Sequence, residues 1–224
     1  MTRNQLIIAL AAAAIVVVAV IAYFVLFPGT TDVASVPAGD LRAGVTLTSS
    51  DRTLGSPKAP ILVVEYAAPS CPVCARFNAQ VFPLFRQNYI DTGKVYYVFR
   101  VFPLRAADGA AEAMARCLPA DNYFEFIDLL FRNQSKWDEE YGVTDVHGGL
   151  VQMGRIAGMS AERVDQCIAD KAQAERINKV AMDGEARYSL TGTPTFVING
   201  VVQTAGAISW PDLQGKLNAL LPKK

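Results

Sequence analysis

The side chains best suited to covalent chemistry lie at Cys71-Pro72-Val73-Cys74, two thiols separated by two residues. Residues 61–66 before them form a short, almost continuous apolar run, the pattern of a parallel strand buried on both faces. Ala68-Pro69-Ser70 reads as a turn, and Pro72 suits a first helical position because its missing N–H would be unpaired there. The stretch to about Tyr89 is helix-compatible. Cys71 is thus expected at a helix N-terminus, where free N–H groups and the positive end of the dipole lower a thiol pKa and make it a nucleophile. Cys74, one turn on, is the resolving thiol. The competing chemistry is half of a zinc site, which needs four ligands, and the remaining candidates are the widely separated Cys117 and Cys167 and the single His147. No metal is expected, and no cofactor.

Glu65 lies six residues before Cys71 inside the apolar strand. A buried carboxyl is costly unless neutralised or paired, and burial raises its pKa, which makes Glu65 a candidate for proton transfer. The alternative is a strand-end Glu facing solvent or a salt bridge. Val146-His147-Gly148-Gly149 reads as a helix start, so His147 is expected to be structural or exposed. Phe124, Phe126, Leu129, Leu130 and Phe131 recur near helical spacing and are expected in the core rather than in a peptide groove.

These residues need elements to hold them. Residues 95–101 form a second β-rich run, residues 106–190 read as a block of helices, and strands return at 195–198 and 201–204 around Asn199-Gly200, a strong hairpin signal. Residues 209–221 look like a closing helix with Ser209 as cap and Pro211 in its first turn. The order is strand, helix, strand, helical block, hairpin, helix.

The 224 residues include 21 Lys plus Arg and 21 Asp plus Glu, and a net charge of zero leaves no basic footprint for nucleic acid. Residues 6–27 carry no charge, and 22 helical residues span about 33 Å, enough for a bilayer core. This reads as a retained membrane anchor. A cleaved signal peptide is the alternative, although Val36-Pro37-Ala38 lies far beyond the apolar run. Arg3 precedes the span and Asp32 and Asp40 follow it, so the N-terminus is expected in the cytosol and the rest outside. Residues 1–28 are then tip and anchor, residues 29–53 a tether rich in small and turn-forming residues, and residues 54–224 the domain.

From these residues the chain resembles the thioredoxin superfamily, and within it the DsbA-like thiol-disulfide oxidoreductases of the bacterial cell envelope. The resemblance rests on Leu54-Gly55-Ser56-Pro57-Lys58-Ala59-Pro60, the C-x-x-C, Phe99-Arg100-Val101-Phe102-Pro103-Leu104 and Gly192-Thr193-Pro194-Thr195-Phe196. It implies an α/β thioredoxin fold with a helical insertion at about 105–190, here behind one transmembrane helix. It also implies that Pro194 is cis and faces the cysteine pair, that the backbone of Thr193 pairs with an incoming peptide, and that Glu65 exchanges a proton with Cys74. Without the resemblance, Pro194 would read as an ordinary trans proline opening a strand. The dipeptide Pro-Val departs from strong oxidases of the family, which often carry histidine in the second place.

The expected activity is disulfide exchange at Cys71 and Cys74, with oxidation of exported, folding proteins as the direction favoured. Reduction or isomerisation by the same site, or peptide binding as a chaperone, are the alternatives. A reoxidase or reductase in the bacterial inner membrane is the implied redox partner, with the domain on the periplasmic or extracellular side. Residues 29–53 are too short for a separate dimerisation domain, so a monomer is expected. An exported chain meets an oxidising environment, and some members of the family carry a second bridge in the insertion. A structural disulfide between Cys117 and Cys167 is therefore expected, with buried free thiols as the alternative.

Overall fold

The computed structural model describes residues 41–42 and 44–222; the expected tip and anchor lie outside them. Among the described residues no helix is long and apolar enough to cross a membrane. A two-stranded ribbon, β1 (Leu41–Arg42) and β2 (Val45–Thr46), comes first. β3 (Arg52–Leu54), β4 (Ile61–Ala67), β5 (Val95–Val101), β6 (Thr195–Ile198) and β7 (Val201–Ala205) form one sheet in the order β3-β5-β4-β6-β7. β4 and β5 are parallel, and the other neighbours are antiparallel. This is the thioredoxin arrangement that the resemblance implies, with helices inserted between β5 and β6.

β4 is buried at every position, so its side chains divide by the period of two between two cores. Ile61, Val63 and Ala67 join Tyr97, Phe99, Phe196 and Ile198 on one face of the sheet. Leu62, Val64 and Tyr66 join Tyr96, Val98 and Val197 on the other. α1 (Pro72–Gln80) and α9 (Trp210–Leu220) pack on the first face through Phe77, Leu213 and Leu217. The insertion, comprising α3 (Ala106–Cys117), α4 (Tyr123–Arg132), α5 (Gln134–Trp137), α6 (Val146–Ile156), α7 (Ala161–Ile168) and α8 (Lys171–Tyr188), sends Met114, Phe126, Leu130, Trp137 and Leu150 into the same core.

Two expectations need correction. The tether does not extend to residue 53, because Val45 and Leu47 are buried in the second core and β3 is an edge strand on β5. Asp51 also holds Arg100 through both carboxylate oxygens at 2.8 Å. The helix after Cys71 does not run unbroken to Tyr89. It stops at Gln80, restarts as α2 (Phe82–Phe85) and ends in a π turn, Arg86–Ile90. Pro83 has no N–H for the carbonyl of Ala79 and its ring crowds that turn, so the ladder breaks there.

The hairpin turn at Asn199-Gly200 has positive φ at both residues, 47° and 81°, the geometry that favours this dipeptide between twisted strands. Ser209 caps α9 by accepting from the N–H of Asp212. His147 is exposed and pairs with Asp165 at 2.8 Å. Of the aromatic stripe, Phe126, Leu130 and Phe131 are buried, while Phe124 and Leu129 pack against the core from partly exposed positions.

Candidate active site

β4 ends at Ala67, and a turn closed by the N–H of Cys71 donating to the carbonyl of Ala68 at 2.9 Å delivers Cys71 as the N-cap of α1. Its sulfur accepts from the backbone N–H of Cys74 at 3.3 Å, and Pro72 occupies the first turn. Cys71 retains 5% of its surface and Cys74 none, so only the Cys71 sulfur is open to attack. The sulfur-to-sulfur hydrogen bond with Cys74 lowers the Cys71 pKa to about 6 against the opposing effect of burial, with smaller contributions from Thr193 and the N–H groups of Cys74 and Val73. Burial and the neighbouring Cys71 push Cys74 the other way. Hydrogen bonding to Cys71 and the deeper burial of Cys74 have separated two identical side chains into a stabilised thiolate and a protonated thiol.

The Thr193–Pro194 bond is cis, and in its protonated form the thiol of Cys71 donates to the carbonyl of Thr193 at 3.4 Å. The structure therefore brings Thr193 onto Cys71, with Pro194 the next residue along the chain. Cys117, at the end of α3, and Cys167, near the end of α7, are joined by an S–S bond of 2.02 Å with their Cα atoms 6.0 Å apart. They take no part in the site.

Over residues 47–219 the chain matches the family profile described as Thioredoxin. The solved structure of alpha-DsbA1 from Wolbachia pipientis superposes with a TM-score of 0.70 at 30% identity, covering 76% of this chain and 90% of that one. The chain belongs to the thioredoxin superfamily, on its DsbA-like branch. BdbD of Bacillus subtilis shares the fold, with a TM-score of 0.64 at 22% identity over 76% of this chain and 92% of that one. A Rickettsia typhi relative named as a protein-disulfide oxidoreductase is 34% identical over 155 residues, 68% of this chain and 56% of the relative. The chain thus spans little more than half the length of the first curated relatives it matches.

In this DsbA-like chain Glu65 is 2% exposed and accepts from the hydroxyl of Tyr97 at 2.6 Å. Burial raises its pKa to about 8, moderated by the Tyr97 hydrogen bond and increased by the charge of Cys71. Neither alternative for Glu65, a solvent-facing side chain or a salt bridge, is realised.

Sequence reading did not single out four residues that hold the site. Tyr97 is the partner of Glu65, and its alternation within β5 would have pointed to it once β5 was laid parallel to β4. Asp108, fully buried in α3, accepts from the N–H of Ser70 at 2.7 Å and from its hydroxyl at 3.0 Å. The same carboxylate takes the N–H groups of Leu104 and Arg105 at 2.9 Å. Gln134 in α5 donates to the carbonyls of Pro69 and Cys71 at 2.8 and 3.0 Å, and accepts from the hydroxyl of Tyr141. The turn before Cys71 is therefore clamped by the insertion from α3 and α5. Asp108 carries a local signal as the acid that caps the start of α3, but its bond to Ser70 and those of Gln134 to Pro69 and Cys71 span long stretches of sequence, and no motif marks them.

Proposed function

We propose that the chain is a protein-disulfide oxidase of the bacterial cell envelope, accepting electrons from thiol pairs of exported, folding proteins through Cys71 and Cys74. The observation that carries this reading is the asymmetry of the pair: Cys71 is the accessible sulfur and its thiolate is stabilised, while Cys74 is enclosed and held protonated. A substrate thiolate attacks Cys71, the mixed disulfide forms, and the substrate's second thiolate resolves it with Cys71 as a good leaving group. Thr193 and Pro194, against Cys71, offer the surface for the substrate strand. The names of relatives agree with the chemistry. Besides the Rickettsia typhi protein, a Bacillus cereus relative, 29% identical over 157 residues, carries the name of a disulfide bond formation protein.

The uncharged residues 6–27 support a single-pass anchor in the inner membrane with the N-terminus in the cytosol and the domain outside. In that reading a membrane protein reoxidises the Cys71 and Cys74 pair, and the chain acts as a monomer. Incubation of the oxidised chain with a reduced, unfolded test protein checks the function. Disulfides should form in the test protein, and Cys71→Ser should form none; Cys74→Ala first loaded at Cys71 as its mixed disulfide with glutathione should exchange it for a mixed disulfide with a single-thiol test protein, releasing glutathione. Disulfide formation that survives Cys71→Ser would refute the reading.

A further inference from the structure

When the Cys71–Cys74 bond breaks, its electron pair is left on a sulfur with no exposed surface and a raised pKa. Such a leaving group needs a proton at once. Glu65 is the nearby acid. Its carboxyl interacts electrostatically with both cysteines and is buried. Yet Glu65 also lines a cavity of about 310 Å³ that neither cysteine touches, walled by Tyr97, Phe82, Phe99, Phe124 and Phe131. The Tyr97 hydroxyl, 2.6 Å from the carboxylate oxygen, is the hydrogen bond that fixes the carboxyl there.

We propose that Tyr97 is the positioning residue for proton transfer at the cysteine pair, holding the Glu65 carboxyl where it faces Cys74 and also meets the cavity through which it exchanges its proton with solvent. The proposal rests on the reading of Cys71 and Cys74 as the redox pair. A substrate thiolate forms a bond to the Cys71 sulfur as the Cys71–Cys74 bond breaks, the electron pair stays on Cys74, and Glu65 passes its proton to that sulfur and becomes a carboxylate. The second substrate thiolate then attacks the substrate sulfur of the mixed disulfide and releases Cys71 as a thiolate. The substrate has lost two electrons and the cysteine pair has gained two. Glu65 regains its proton from solvent through the cavity.

The groups facing this carboxyl come from several elements. Cys71 and Cys74 belong to the start of α1, Tyr97 to β5, and Tyr123 to α4, from which it acts on Tyr97. At the cavity wall stand Arg86, Asp121, Glu125, Asp128 and Arg132. Asp128 is engaged by Arg132 and by the side-chain amide of Asn78, and Arg86 pairs with Asp91. A hydrogen bond from tyrosine favours the carboxylate, so removing the hydroxyl keeps Glu65 protonated to higher pH.

The test is the pH profile of the first exchange step in the oxidised chain, measured with one small thiol so that its own titration cancels between variants. The wild type should lose rate at alkaline pH as Glu65, its pKa raised by burial, ionises. Tyr97→Phe should move that limb upward by about one to two pH units, while the thiolate absorbance of Cys71 in the reduced form titrates as before. Glu65→Gln should lack the limb. Infrared titration of the carboxyl band that disappears in Glu65→Gln reads the same shift without any exchange activity, so failure of the redox reading and failure of the Tyr97 pairing are told apart. In Phe124→Trp, which narrows the cavity, hydrogen–deuterium exchange of that band should slow severalfold. An unmoved carboxyl titration in Tyr97→Phe, or unchanged isotope exchange in Phe124→Trp, would overturn the proposal.

Discussion

At the residue scale the chemistry depends on two groups displaced from their ordinary ionisation in opposite directions. Cys71 is held ready as a thiolate by Cys74 and the first turn of α1, and Glu65 is held ready as an acid by burial beneath them. Glu65 makes a stability cost with a defined sign. Below about pH 4.5 the carboxyl is protonated in the folded and unfolded chains alike; from there to about pH 8 the unfolded chain releases the proton and the folded chain keeps it. Stability therefore falls as pH rises through that window. Glu65→Gln should abolish the fall, so that the variant gains on the order of a few kcal/mol over the wild type at pH 8 relative to pH 5. Urea unfolding of the disulfide form, in which Cys71 cannot titrate, measures this, and parallel pH slopes for the two proteins would mean that Glu65 is not held protonated. Glu65 and Cys71 were legible in the sequence because each is anomalous where it stands, a carboxyl in an apolar strand and a thiol before Pro72. Tyr97 was not, since a tyrosine in a β-rich run is unremarkable until the register sets it opposite Val63, diagonal to Glu65 on the same face of the sheet.

At the element scale the insertion acts as a clamp on the active-site turn, through Asp108 on Ser70 and Gln134 on Pro69 and Cys71. Its helices were visible from residues 106–190 as a block, and the hairpin from Asn199-Gly200, because local turn chemistry and apolar periodicity carry those signals. The break at Pro83 was missed by weighting the apolar pattern over the missing N–H. The early start of the fold was missed because Val45 and Leu47 alternate over too few residues to stand out from a linker rich in turn formers. The Cys117–Cys167 bond ties α3 to α7 across 50 residues of sequence, and α3 carries Asp108 at its other end. Replacing both cysteines by alanine should lower stability by up to about 4 kcal/mol from the unfolded-state entropy of a loop that size. Thiol exchange at Cys71 should persist. A melting temperature equal to that of the wild type in the oxidised protein would show that the bond adds nothing to this fold.

At the scale of the whole molecule, two parallel strands and a capped helix leave Cys71, and not Cys74, a small exposed area, while the cis-Pro194 loop and the insertion close around it. The folded protein should favour the reduced form, since only there does Cys71 gain from its surroundings as a thiolate. The reduced protein should resist denaturant better than the oxidised protein at neutral pH. That advantage belongs to a lowered pKa: it is full above the unfolded thiol value near pH 9 and is lost as pH falls through about 6. Equal denaturation midpoints at pH 8 and pH 5 in the difference between the two redox forms would contradict it. The same free energy sets the redox poise of the pair, because a fold that prefers its reduced state takes electrons from others. The most direct measurement is the equilibrium of Cys71 and Cys74 with glutathione at pH 7, with Cys117 and Cys167 left bonded. A potential above about −200 mV, on the oxidising side of the range spanned by such proteins, is the predicted result; a value near or below about −270 mV, where a cytosolic reductant lies, would contradict the account.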